Sequence, residues 1–286
     1  MDKIFVKARA KVNLTLEILD KREDNYHNLR SVFQKINLYD EIWIYKTNGD
    51  YFELESNLQS LKMEDNIIYK AYVKLKEKYN YISGIKVVLN KKIPMEAGLA
   101  GGSTDCASFI LAMNKLFSLK MSKNEVEELG KSLGADVVPC MYNKAVLAEG
   151  IGEKITKIDT NFKYYMLVVK PDLSCNTGEM YKKLDEIERE EKAVCTKNVI
   201  NALENNNIEL LATNLYNSFK EVVDAESIKE ELKGNRALGA LLSGSGSSVF
   251  GIFKNKEDVK HAYNNLKNKY KEVYVCLSYN SSKEEI

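Results

Sequence analysis

No stretch of this chain could cross a bilayer, because its longest apolar runs, such as Tyr164 to Val169, fall far short of the roughly 20 residues a helical span needs. The N-terminus is charged from Asp2 and Lys3 and lacks the continuous apolar segment of a secretory signal. A soluble, cytoplasmic protein without a membrane partner is therefore expected. Net charge is also nearly missing: 42 basic side chains face 41 acidic ones, so no global field favours nucleic acid, and any anion must be gripped locally. The five cysteines are odd in number and contain no C-x-x-C spacing, which argues against a disulfide framework or a zinc site. Cys276, inside Val273-Tyr274-Val275-Cys276-Leu277, reads as a buried strand residue, and Cys106 as a small packing residue. Histidine is limited to His27 and His261.

What is present can build a substantial core. With 286 residues, 44% hydrophobic and 29% charged, the chain fits one large domain or two modest ones, and two are expected. From Ile4 to Ile18 the even positions are apolar while Lys7, Arg9, Lys11, Asn13, Thr15 and Glu17 occupy the odd ones, which predicts a half-buried strand. Asp24-Asn25 supplies a turn, and alternation resumes from Ser31 to Tyr45, opening an antiparallel sheet. Asp65 is the expected N-cap of a helix over 66–79. A strand follows over 84–93, then a glycine-rich loop, a helix to about Phe117, and a second helix opened by the capping box Ser122-x-x-Glu125 and closed near Gly134. Beyond Asp159 the order is strand (164–170), several helices, strand (237–242), strand (247–254), helix (257–269) and strand (273–278). With the helices grouped, this is the β-α-β-β-α-β ferredoxin-like pattern, giving an α+β protein divided into 1–158 and 159–286. Ser281 to Ile286 reads as a solvated tail.

The strongest chemical signal is Pro94-Met95-Glu96-Ala97-Gly98-Leu99-Ala100-Gly101-Gly102-Ser103-Thr104-Asp105, between an expected strand and an expected helix. Small residues let a backbone approach a ligand, and N–H groups at a helix start form an anion site. Taken alone, the same glycines equally suit a tight strand-to-helix connection. The segment matches neither G-x-x-x-x-G-K-[ST] nor G-x-G-x-x-G, which disfavours a Walker-type NTPase and a dinucleotide fold. Glu96 adds a carboxylate that would repel phosphates unless it pointed outward.

Residues 94–104 resemble the P-x-x-x-G-L-x-x-S-[ST] phosphate loop of the GHMP kinases, a two-domain family. Three further blocks look like those of the family branch that acts on 4-diphosphocytidyl-2-C-methyl-D-erythritol. They are Ala10-Lys11-Val12-Asn13-Leu14 with Asp24-Asn25-Tyr26-His27, then Gly134-Ala135-Asp136-Val137-Val138-Pro139, then Leu242-Ser243-Gly244-Ser245-Gly246-Ser247. Asn25 stands where that pattern has glycine, a mild change because Asn tolerates left-handed backbone. Four ordered blocks between about residues 8 and 253 are far more specific than one glycine loop.

The resemblance implies an N-terminal mixed α/β domain with antiparallel strands, a C-terminal ferredoxin-like domain, and a site between them. It implies Asp136 as general base for an alcohol, with Lys11 holding it ionised and offsetting charge near the acceptor hydroxyl. ATP with Mg²⁺ is the implied phosphoryl donor, its phosphates over Gly98 to Thr104, with the Ser103 or Thr104 hydroxyl toward phosphate or Mg²⁺ and Asn66 and Lys91 near the adenine. No acidic pair marks Mg²⁺ ligands. For the cytidylated substrate it implies Asn13, Tyr26, His27, Thr177 and Tyr181, with Ser243, Gly244, Ser245 and Gly246 backing the phosphates. Independently of the family, Lys11 and Asn13 share one strand face, and Thr177 and Tyr181 lie four apart on an expected helix. For an arbitrary sequence, a solvated strand lysine, a surface-turn aspartate, an exposed loop histidine and a core tyrosine are the ordinary readings. The expected assembly is a monomer or weak homodimer.

Three other readings compete. Another GHMP kinase, for homoserine, mevalonate or a sugar, would share the phosphate loop but not the 24–27 block. A catalytically degenerate ligand-binding relative would have no need to keep both Lys11 and Asp136. A nucleic-acid module on the ferredoxin-like half would need a basic face with stacking aromatics.

Overall fold

The computed structural model describes residues 2–58, 63–187 and 193–281. Its first half comprises β1 (Lys3–Lys21), β2 (His27–Lys46), β3 (Phe52–Ser56), α1 (Ile67–Lys78), β4 (Ile85–Asn90), α2 (Gly101–Leu116), α3 (Lys123–Lys131), α4 (Val137–Cys140), β5 (Val146–Gly150) and β6 (Lys154–Lys157). Then come β7 (Tyr165–Lys170), α5 (Thr177–Leu184), α6 (Ala193–Glu204), α7 (Ile208–Thr213), β8 (Tyr216–Asn217), a 3₁₀ turn (Ser218–Glu221), α8 (Glu226–Gly234), β9 (Gly239–Leu242), β10 (Val249–Phe253), α9 (Lys256–Leu266) and β11 (Glu272–Leu277).

The long β1–β2 hairpin turns at Asp24-Asn25, and Asn25 takes the left-handed conformation at φ 66°. It anchors a seven-stranded sheet ordered β3-β4-β2-β1-β8, with β5 paired to β2 and β6 to β5. The second half holds a four-stranded antiparallel sheet ordered β11-β7-β10-β9, which is the ferredoxin-like arrangement. The division expected at 158/159 falls between β6 and β7. The two halves share apolar packing: Ala10, Val12 and Leu14 of β1 join Tyr164, Met166, Val168 and Val199 in one cluster, and Leu16 and Ile18 join Leu167 and Val169 in another. β8 also reaches across, pairing Tyr216 and Asn217 in parallel with Thr15 and Leu16.

Three expectations are corrected. β1 is not half-buried: Lys11, Asn13, Thr15 and Glu17 are as buried as the apolar face. The physical reason is a second covering layer, since the Thr196 hydroxyl of α6 donates to Glu17 and shares a hydrogen bond with the Thr15 hydroxyl. The N-cap of α1 is Asn66, whose Oδ1 accepts from Ile68 N at 2.9 Å, so Asp65 is left free of capping. Ser281 is tied to Asn143 O at 2.7 Å; the rest of the expected tail, 282–286, lies outside the described residues. The capping box at Ser122 and Glu125 forms as expected. None of the five cysteines forms a disulfide, and Cys106 and Cys276 are buried. Among the described residues, no helix is long and apolar enough to cross a membrane.

Candidate active site

The glycine-rich segment is held from both sides. Ala97 and Leu99 point into the shared core, while their carbonyls accept from Ser248 N at 3.2 Å and Lys11 N at 3.2 Å. The loop is thereby pinned between β1 and the β9–β10 turn. Gly98 sits at φ +71°, and a Cβ there would lie 1.9 Å from Ser243 O, so only glycine fits. Its carbonyl accepts from Lys11 Nζ at 3.1 Å and from Ser243 Oγ at 3.0 Å. Ala100, left-handed at φ 56°, then turns the chain into α2, whose first N–H groups at Gly101, Gly102 and Ser103 are the helix's unpaired donors. A Cβ at Gly102 would meet nothing within 4 Å, which leaves open space over those donors. Glu96 is exposed, at φ 50°.

Lys11 is 3% exposed and its ammonium donates to Asn13 Oδ1 at 2.7 Å; Asn13 in turn donates to Ser31 Oγ at 2.8 Å. Asp136 Oδ2 lies 3.6 Å from Lys11 Nζ. The Asp136 side chain is 42% exposed and, although at the N-cap of α4, makes no capping hydrogen bond, so its carboxylate is free to accept from a ligand.

Beside the phosphate loop, Lys91 Nζ bridges the buried carboxylates of Asp40 and Asp105, the latter at 2.6 Å. Burial works against the Lys91 ammonium, but Asp105 and Asp40 outweigh it and its pKa lies above the ordinary lysine value. Burial, opposed by Lys91, pushes the Asp105 carboxyl well above the usual range. Across the cavity, Thr177 Oγ1 lies 2.9 Å from Ser245 Oγ, and Tyr181 packs edge-on against Phe219 at 5.0 Å. His27 stacks on Tyr181 at 5.2 Å, and its Nε2 lies 2.6 Å from Asp185 Oδ1.

One cavity of about 540 Å³ gathers Lys11, Asn13, Asn66, Lys91, Pro94 to Gly98, Ala100 to Ser103, Asp136, Thr177, Tyr181, Gly244 and Ser245. Six expected residues do not line it. Leu99 is buried in the core. Thr104 is fully buried; its hydroxyl donates to Arg9 O at 2.6 Å and accepts from Lys35 Nζ at 2.9 Å, so of the Ser103–Thr104 pair only Ser103 lines the cavity. Ser243 and Gly246 lie behind the loop, Ser243 bonded to Gly98 O and Gly246 close to Cys175 and Leu242. His27 is 7% exposed, packed under Tyr181 rather than open on a loop, and Tyr26 is 57% exposed away from the wall. The wall also holds Leu16, Leu29, Phe33, Asp65, Ile67, Asp105 and Phe219, none of which the sequence assigned to the site. Leu16 and Phe33 carry only the alternating signal of core strands, and nothing local marks Phe219. Asp105 was legible as the fifth residue of a helix whose N-terminus faces the cavity.

A closed glycine loop at a helix N-terminus, a buried lysine against an open aspartate and a second lobe facing both define a small-molecule phosphotransferase of the GHMP type. Two family descriptions match the chain, "GHMP kinases N terminal domain" over 66–144 and "GHMP kinases C terminal" over 199–272. The 4-diphosphocytidyl-2-C-methyl-D-erythritol kinase of Clostridioides difficile is 39% identical, over 97% of this chain and 96% of its own length. That of Clostridium tetani is 38% identical, over 94% and 98%. The chain belongs to the 4-diphosphocytidyl-2-C-methyl-D-erythritol kinase family of GHMP kinases. Among solved structures, a 4-(cytidine 5'-diphospho)-2C-methyl-D-erythritol kinase superposes with a TM-score of 0.81 at 23% identity, covering 97% of this chain and all of its own. Homoserine kinase from Cytophaga hutchinsonii gives 0.77 at 18%, covering 99% and 96%. At these identities the superpositions establish the fold.

Proposed function

We propose that this ATP-dependent small-molecule kinase transfers the γ-phosphoryl group of ATP to the 2-hydroxyl of 4-diphosphocytidyl-2-C-methyl-D-erythritol, giving the 2-phosphate and ADP on the non-mevalonate route to isoprenoids. The observation that carries the reading is the Lys11–Asp136 pair, 3.6 Å apart in the cavity between the phosphate loop and the Thr177–Tyr181 face. Asp136 accepts the proton of the acceptor hydroxyl, and the oxygen attacks the γ-phosphorus in line with the departing ADP oxygen. Lys11 offsets charge building at the attacking oxygen. The N–H groups of Gly101 to Ser103 receive the triphosphate, and the space over Gly102 admits it without a side-chain clash. Asn66, Lys91 and the Pro94–Met95 segment flank the nucleoside, and Thr177, Tyr181 and the Gly244–Ser245 turn hold the cytidylated substrate.

Among the described residues no three acidic, histidine or cysteine side chains cluster as a metal cage. That donor set fits Mg²⁺ carried chiefly by phosphate oxygens, with the Ser103 hydroxyl as its protein partner. The ion would neutralise phosphate charge. The reading treats 1–158 and 159–286 as two lobes of one cytoplasmic enzyme, a monomer or weak homodimer.

The test is ADP release by the purified chain with ATP and Mg²⁺, comparing 4-diphosphocytidyl-2-C-methyl-D-erythritol with homoserine, mevalonate and galactose. Stimulation by the cytidylated acceptor alone is expected. Stimulation by another acceptor would leave the fold standing and reject the substrate.

A further inference from the structure

We infer that Ser31 is a positioning residue that orients Lys11 for phosphoryl transfer, acting through the Asn13 amide from behind the cavity wall. The inference rests on the proposed role of Lys11 and adds a residue that touches neither substrate nor nucleotide. Ser31 lies on β2, is fully buried and does not line the cavity, whereas Lys11 and Asn13 both do. The pairing of β1 with β2 slips between Asn13 and Thr15, where β1 carries one residue more than β2. Such irregularities re-aim side chains. At this one, Val32 N donates to the Thr15 hydroxyl at 3.2 Å, and the Ser31 hydroxyl, although opposite Leu16 in register, meets both Thr15 and Asn13.

Donors and acceptors leave one arrangement. The Ser31 hydroxyl gives its only proton to Thr15 O at 2.6 Å, because a carbonyl can only accept. Toward Asn13 it is therefore an acceptor, and it receives Nδ2 at 2.8 Å. With Nδ2 engaged there, Oδ1 is turned to the Lys11 ammonium, which donates to it at 2.7 Å and to Gly98 O at 3.1 Å. An ammonium has three N–H donors, so the third is left for Asp136 Oδ2, 3.6 Å away, and for the attacking oxygen. Removing the Ser31 hydroxyl strips a buried amide of its acceptor, and the amide is then stabilised by rotating toward another one. Lys11 loses the contact that fixes its ammonium, at a site where small displacements cost rate.

Two measurements test this on the full chain. Ser31→Thr and Ser31→Val match in shape and differ in the hydroxyl. With the cytidylated acceptor, kcat should be about tenfold lower in Ser31→Val than in Ser31→Thr, the loss expected for one buried hydrogen bond, while KM for ATP stays equal. Combined with Asn13→Ala, the two variants should turn over alike, because the amide through which Ser31 acts is gone. A purely structural role would lower the melting temperature in both backgrounds and leave kcat equal wherever the protein is folded. The second measurement needs neither a Ser31 variant nor turnover: by NMR of the parent chain, the side-chain amide protons of Asn13 should be protected from hydrogen exchange. Equal kcat in folded Ser31→Thr and Ser31→Val, a difference that persists in full with Asn13→Ala, or an unprotected Asn13 amide overturns the inference. Failure of the parent chain to phosphorylate the cytidylated acceptor would instead overturn the proposed function, with amide exchange still deciding the contact between Ser31 and Asn13.

Discussion

Lys11 shows how far a single residue can be read from sequence. Alternation places it with Asn13 on a polar strand face, and the structure confirms that the two side chains touch, at 2.7 Å. Alternation alone makes that face solvated; the burial of Lys11 to 3% comes from loops and helices more than eighty residues away, which no local pattern announces. Thr104 illustrates the opposite error. A hydroxyl beside the phosphate loop looks available, but helical periodicity turns it inward, where Arg9 O and Lys35 occupy it. The proposed base gives the prediction at this scale. Asp136→Asn preserves shape, makes no difference to capping because Asp136 caps nothing, and removes only the proton acceptor. Turnover should fall by about 10²–10⁴-fold with ATP binding retained, measured by ADP release and by nucleotide titration. Near-parental turnover would reject Asp136 as the base.

At the scale of elements, strands bounded by clear turn signals were legible even when short, as β9 and β10 show, but four other short strands were not. β1, β2 and the ferredoxin-like order from β7 to β11 follow from alternation and turn signals. β3, β5, β6 and β8 have five residues or fewer, too few for a period to show, and they exist because neighbouring strands offer them unpaired edges. The N-terminal boundary of α1 moved by one position because Asn66, not Asp65, has its side-chain oxygen over the second helical N–H.

Two elements carry predictions. Gly98→Ala places a methyl group against Ser243 O and forces alanine to a positive φ, which by itself costs about 1–3 kcal/mol. The loop should detach from the β9–β10 turn, lowering the melting temperature and weakening ATP binding together. Gly102→Ala, where a Cβ meets nothing, should weaken ATP binding while leaving melting unchanged. Calorimetry and nucleotide titration on both variants check the contrast, and equal melting losses would contradict it. For α3, Ser122→Ala removes the cap and should cost about 1 kcal/mol without touching activity. Hydrogen bonds from Lys78 and Ser122 hold the Glu125 carboxyl down at about 2, against 4.5 ordinarily. A lowered folded value stabilises above the unfolded one, so this contribution is complete above about pH 4.5 and fades as the pH falls toward 2. The melting difference between the parent chain and Glu125→Gln should shrink across that window.

For the whole molecule, the expected division at 158/159 falls in a connection between β6 and β7, yet the packing does not respect it. Successive apolar residues of β1 enter three different clusters: Ala8 the first, Ala10, Val12 and Leu14 the second, Leu16 and Ile18 the third. The second cluster draws equally on strands and helices from the other half. A site whose phosphate loop, proposed base and substrate face come from both halves depends on that shared packing to keep Gly98, Lys11 and Ser243 in register. Strand periodicity revealed that Leu14 points inward, but not that its neighbours would come from β7 and α6. If this cluster couples the halves, unfolding should be a single transition. Leu14→Ala, at a fully buried position, should cost about 2–5 kcal/mol. Trp43, the only tryptophan, lies in β2 and reports on the first sheet, whereas far-UV circular dichroism reports on both halves. The two denaturation curves should coincide in the parent chain and shift together in Leu14→Ala. Curves that separate in the parent chain would mean that the halves melt independently, and the site would then depend on docking between two stable lobes rather than on one continuous core.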